Sequence, residues 1–155
     1  MDAVELIAQD HDNIRSLFRA FNDLSPASHQ AKQQAADRIV RELVAHAEVK
    51  QELFYPEARR LAPDAVAELD DDLESHLVAD GLVSEVADVS GHDERLAAVK
   101  VLEEPIHRHL EREEQDLLPR VREAVAPGSL DELGDRMLAA KESKLGRAGR
   151  GAGSR

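Results

Sequence analysis

Apolar residues recur three and four apart in four long blocks, the spacing of amphipathic helices. In the first block, from about Asp2 to about Asn22, Val4, Ile7, Ile14, Phe18 and Phe21 share one stripe with His11 in its middle. The second covers about residues 28–61, with Ile39, Leu43, His46, Lys50 and Leu53 in line. The third, about residues 64–89, aligns Leu69, Leu73, His76, Asp80, Val83 and Ala87. The fourth, about residues 92–126, aligns Val99, Leu102, Ile106, His109, Glu113 and Leu117. Ser25-Pro26, the LAPD turn at 61–64, Ser90-Gly91 and Pro127-Gly128 separate the blocks. A short fifth helix follows, from Ser129 to about Leu145. Pro56, Pro105 and Pro119 fall inside helical patterns and predict kinks.

Four long amphipathic helices with short connections predict an all-α, up-down-up-down antiparallel four-helix bundle with a short fifth C-terminal helix. Each long seam carries one histidine near its middle. Antiparallel packing therefore brings His11, His46, His76 and His109 to a similar depth. One such histidine is ordinarily a hydrogen-bonded core residue; four at one level point to a metal. His109 and Glu113, four residues apart, share a helix face. Inside an apolar seam both are costly unless a partner satisfies them, and a divalent ion does so. The second block echoes this layout. LVAHAEVKQELFYP places His46 ten residues before Pro56, as His109 stands ten before Pro119. His29, His92 and His107 lie off the seams and read as surface residues. Glu111, Glu114 and Asp116 read as a solvated acidic face, with Glu114 alternatively a group that supports a ligand from behind, and Tyr55 as a packing residue with a hydrogen-bonded hydroxyl.

Composition narrows the chemistry. The 155 residues fit one domain. No cysteine is present, which excludes disulfides, thiolate zinc sites and cysteine nucleophiles and suits a reducing, cytoplasmic setting. Imidazole with carboxylate suits iron, manganese or zinc. No apolar run reaches membrane-span length, and MDAVELIAQD lacks a signal-peptide pattern. The net charge is −12, and residues 141–155 hold +4 of it, so the rest carries −16. Such an acidic body argues against nucleic-acid binding. The domain is expected over 1–145, with 146–155 a disordered, basic, Gly-rich tail. The Glu-x-x-His spacing of ferritin-type di-iron bundles occurs only at Glu104–His107, off the seam beside Pro105.

DHDNIRSLF around His11, LVAHAEVKQELFYPEAR around His46, LESHLVADGLV around His76 and IHRHLEREEQDLLPRV around His109 together resemble the hemerythrin-like, or HHE cation-binding, family. The resemblance covers about residues 2–145. It implies a four-helix bundle holding non-haem iron, one or two ions, that binds or senses dioxygen, nitric oxide or peroxide. By position it assigns His11, His46, His76, His109 and Glu113 as metal ligands. Two positions depart from the family pattern. Lys50 stands where the family has a bridging glutamate, and Asp80 stands where metazoan hemerythrins carry a histidine. Asp80 offers a sixth ligand.

The expected function is therefore a cytoplasmic iron-binding module for a small diatomic ligand or peroxide, with no nucleic-acid or membrane partner. Peroxide turnover leaves no discriminating sequence feature. The alternative is a metal-free or weakly binding bundle with a structural or partner-binding role, its site weakened by Lys50. Level counting from Pro63 sets Lys50 near Asp80, so an inter-helix ion pair is expected there. The rival expectation is Lys50 bent out to solvent and Asp80 free to bind metal. The fifth helix is expected to matter less to the metal.

Overall fold

The structure, a computed structural model, describes residues 1–153, and side chains through residue 146. Among them there are helices and no strands. Helix α1 is Ala3–Asp23. Helix α2 covers residues 29–61 in three consecutive pieces: α-helix His29–Val49, a π-helical turn Lys50–Phe54 and α-helix Tyr55–Leu61. After a 3-10 turn at Pro63–Ala65 comes α3, Val66–Ala87. Helix α4 covers residues 92–124, again in three pieces: His92–Arg112, a π-helical turn Glu113–Leu117 and Leu118–Ala124. Helix α5 is Asp131–Gly153. Its helical backbone runs through residues 146–153 of the Gly-rich stretch expected from sequence to be a disordered tail. The last two residues of that stretch lie outside the described residues.

Local chemistry explains these limits. Asp2 caps α1: its carboxylate accepts from the Glu5 N–H at 2.9 Å, and the Glu5 carboxylate accepts from the Asp2 N–H at 3.1 Å. Burial alone would raise the Asp2 carboxyl, but Arg122 and the Glu5 N–H hold it below its ordinary value. Helix α4 is capped instead by Gly91, with no side-chain hydrogen bond to its first turn. Pro105 lies within regular helix. Pro56 and Pro119 each follow a π turn, two residues beyond its end. A proline has no N–H to give, and its ring crowds the carbonyl four residues back. Those carbonyls, on Glu52 and Gln115, lie inside the two π turns. The backbone absorbs the proline by widening to five-residue bonds, Tyr55 N–H to Lys50 C=O and Leu118 N–H to Glu113 C=O.

Two apolar clusters form the core. One joins Val4 and Ile7 of α1 to Phe54, Leu69, Leu117, Val121 and Met137. The other joins Ile14 and Phe18 to Ile39, Leu43, Val83, Leu102 and Ile106. Between them lies a polar layer of buried His11, His46, Lys50, Asp72, His76, His109 and Glu113. Helix α5 packs on α1 and α2. Its start comes so close to the N-terminus that a Cβ on Gly134 would run into the Met1 carbonyl. The Ala3 N–H donates to the Leu130 carbonyl at 3.1 Å.

Candidate metal centre

The two π turns begin at matching places. Lys50 stands four residues after His46, and Glu113 four residues after His109, so each π turn opens beside a histidine on the inner face. Glu113 is fully buried and lies at the middle of the layer. Its Oε1 is 3.4 Å from His11 Nε2, and its Oε2 is 3.4 Å from His109 Nε2. Two groups of potential ligand atoms share it. His11, His46 and Glu113 each offer an atom within 4.8 Å of the others, and so do Asp72, His109 and Glu113.

The outward nitrogens are held from behind. Asp10 lies 3.2 Å from His46 Nδ1, and Lys141 of α5 donates to Asp10 at 2.5 Å. Ser75 Oγ is 2.9 Å from His109 Nδ1. His11 Nδ1 faces Glu114 at 3.6 Å, and Glu114 is clamped by Arg15. Hydrogen-bonded partners such as Asp10 and Ser75 fix which nitrogen faces inward, whereas Glu114 sets a negative charge beside His11 without a hydrogen bond. The Arg15 guanidinium holds the Glu114 carboxyl down to about 2.

Charge in the layer is set by burial and by Lys50. The ammonium donates to Glu113 Oε2 and lies 3.7 Å from Asp72 Oδ2. Burial alone would raise the Glu113 carboxyl, but the Lys50 charge and the His109 and His11 imidazoles hold it well below the usual range. Burial, and then the Glu113 charge, push Asp72 up to about 6. Tyr55 donates to Asp72 Oδ2 at 2.5 Å, and burial raises its hydroxyl, so it serves as a neutral donor. Burial takes His46 down to about 4 against the pull of Asp10. Burial and the Lys50 charge take His76 down to about 3. Both rings are therefore neutral at neutral pH, the form that ligates. His11 goes the other way: burial lowers it, but Glu113 and Glu114 raise it on balance.

The donor set fits a cation. His11 Nδ1 and Nε2, His109 Nε2 and Glu113 Oε1 are buried with no hydrogen-bond partner. Buried polar atoms are rarely left this way without a reason. Those around His11 and Glu113 Oε1 converge with His46 on one point. The Oε2 side differs, because the Lys50 ammonium already lies there between Glu113 and Asp72.

The structure brings some of the expected site residues together and sets others apart. His11, His46, His109 and Glu113 come together. His76 is buried in the layer but belongs to neither group of three; its Nε2 meets the Gln51 amide at 3.2 Å, and its ring lies against His109 and Tyr55. Asp80 is only half-buried and accepts from Gln51 at 3.2 Å. The Lys50–Asp80 ion pair does not form, and Lys50 does not bend to solvent: it is 1% exposed, held by Glu113 and Asp72. The cause is a rotated seam. Helix α3 buries Leu69, Asp72, His76, Ala79, Val83 and Val86, so Leu73 and Asp80 fall at its edge. Asp72, four residues before His76, was legible only as one of several acids in ELDDDLE. Asp10 and Lys141 carried no signal beyond Asp10 preceding His11. The fifth helix, expected to matter less to the metal, reaches the layer through Lys141, which holds Asp10 behind His46.

The comparisons agree with this architecture. A comparison with curated proteins finds no match. Among solved structures, the fold is similar to the crystal structure of a hemerythrin HHE cation-binding domain-containing protein from Mycobacterium kansasii. The TM-score is 0.73 at 22% identity, covering 96% of this chain and 90% of that one. The model of the hemerythrin HHE cation-binding domain matches residues 2–121. With its helical bundle, four histidines in one buried layer and that match, the chain belongs to the hemerythrin HHE cation-binding family.

Proposed function

We propose that this protein binds a single non-haem iron ion through His11, His46 and Glu113, and that the Lys50 ammonium takes the place of a second ion. The observation that carries this is the asymmetry of Glu113. Its Oε1 is buried, unpartnered and 3.4 Å from His11, whereas its Oε2 accepts from Lys50. An ion held by three protein ligands keeps an open position for a small ligand such as dioxygen, nitric oxide or peroxide. The residues prepare that place: Asp10 orients the His46 imidazole, Glu114 sets a negative charge beside that of His11, Tyr55 steadies Asp72, and the flanking apolar clusters exclude water. The cysteine-free sequence suits a reducing, cytoplasmic setting.

Metal analysis of protein grown with iron tests the reading, with about one equivalent expected. In Lys50→Glu, uptake is expected to rise toward about two equivalents, because a carboxylate then replaces the ammonium between Asp72 and Glu113. No bound metal in the parent protein would refute the proposal. The second reading, a metal-free bundle, draws on the same Lys50–Glu113 contact. It predicts no uptake in the parent chain and a partner-binding or structural role.

A further inference from the structure

Helices α3 and α4 carry an unusual outer face. Val78 is 67% exposed, Leu82 36% and Val101 75%, on helices whose inner seams are already filled. Exposed branched aliphatics in a continuous row mark contact surfaces. Leu82 and Val86 of α3, Val89 in the connection after it, and Val101 and Pro105 of α4 line an apolar groove. At Leu82 and Pro105 this groove runs into a second one of about 490 Å³, whose walls are acidic on one side and basic on the other. Asp71 and Glu74 project from α3, and Arg108 and Arg112 from α4. His109 forms part of its floor. Among the described residues, Asp71, Glu74 and Arg112 have no ion pair within the chain. Arg108 has only the exposed contact with Glu104 one turn earlier.

We propose that this face is a self-association surface, on which two copies of the chain pack about a two-fold axis running along the groove. Charge and register choose both the occupant and the axis. A two-fold interface must complement itself. Counted from the turn, Asp71 is eighteen residues before Val89 and Arg108 eighteen after Ser90. Val78 is eleven before Val89 and Val101 eleven after Ser90. The antiparallel pair therefore sets Asp71 level with Arg108, and Val78 level with Val101. An axis along the groove keeps each level and exchanges the helices. It lays α3 of one copy on α4 of the other, acid over base and valine over valine. An axis across the groove would instead press the charged end of one copy onto the apolar end of the other, a costly arrangement. From Asp71 to Val89 the face is about 27 Å long and two helices, about 20 Å, wide. That is about 540 Å² before corrugation, close to the ~600 Å² per partner at the lower end of stable interfaces. A second copy would also roof the groove above His109.

Analytical ultracentrifugation across a concentration series tests the proposal, with a dimer expected. Val101→Asp is expected to give monomer with unchanged helical circular dichroism, since the residue is exposed. The axis has its own test. Asp71→Arg with Glu74→Arg is expected to weaken the dimer at least tenfold, and so is Arg108→Glu with Arg112→Glu. The chain carrying all four changes is expected to dimerise again, because each reversed row meets a reversed partner. A monomer at every concentration overturns the proposal, as does a dimer indifferent to Val101→Asp. Failure of the fourfold variant to recover overturns the axis along the groove. None of these readouts depends on metal, so they fail or succeed separately from the iron site.

Discussion

Lys50 lies in the layer as a resident cation. It is fully enclosed, donates to Glu113, faces Asp72 and has its Nζ 5.1 Å from the Tyr55 ring centroid. A buried charge of this kind adds little net stability while paired, yet removing one partner strands the other. In Lys50→Met, measured without metal by denaturant unfolding, a loss of about 3 kcal/mol or more is expected, because Glu113 is left uncompensated. With a divalent ion present the loss should shrink, since the ion supplies the missing positive charge. A metal-free loss below about 1 kcal/mol would show that Lys50 does not balance the layer. The histidines divide in the same way. His46→Ala is expected to abolish uptake, whereas His109→Ala should keep the single ion, because His109 faces the side of Glu113 that Lys50 occupies. Equal loss in both variants would place the ion between the two groups instead.

Among the elements, α5 illustrates what the apolar pattern conceals. Its Lys141 holds Asp10, which in turn holds His46. Losing such an outer partner typically costs about ten- to a hundredfold in metal affinity. Lys141→Ala is therefore expected to weaken cobalt(II) binding by about tenfold, and Lys141→Arg to restore part of it. Unchanged affinity in the alanine variant would confine α5 to a packing role. The bundle, its connections and the histidine layer were legible because periodicity on α1, α2 and α4 is clean and four histidines fall at one depth. Helix α3 was misread for a physical reason. Leu77, Val78 and Leu82 are apolar and exposed, so its hydrophobic residues wrap around the helix and blur the inner stripe. A stripe through Leu73 and Asp80 then competes with the true one through Asp72 and Ala79, one residue away. The π turns were hidden too: Pro56 and Pro119 announced a disturbance, and only the carbonyls four residues back decide its form. At the other end of α1, Asp2→Ala removes both a cap and the Arg122 ion pair, and about 1 kcal/mol of stability is expected to go with it.

At the scale of the whole molecule, the polar layer separates two apolar clusters that touch chiefly through the helices crossing it. Folding is cooperative when neighbouring regions share buried apolar contact, and this layer offers little of it. Two semi-independent blocks are therefore expected, one gathered around Phe54, Leu69 and Met137, the other around Phe18, Ile39 and Ile106. Without metal, amide hydrogen exchange should show each block opening with its own free energy. An ion joining α1, α2 and α4 across the layer would then weld the blocks, and their exchange rates should converge as it binds. The site would in that case act as a rivet, its occupancy reported by how uniformly the whole protein unfolds.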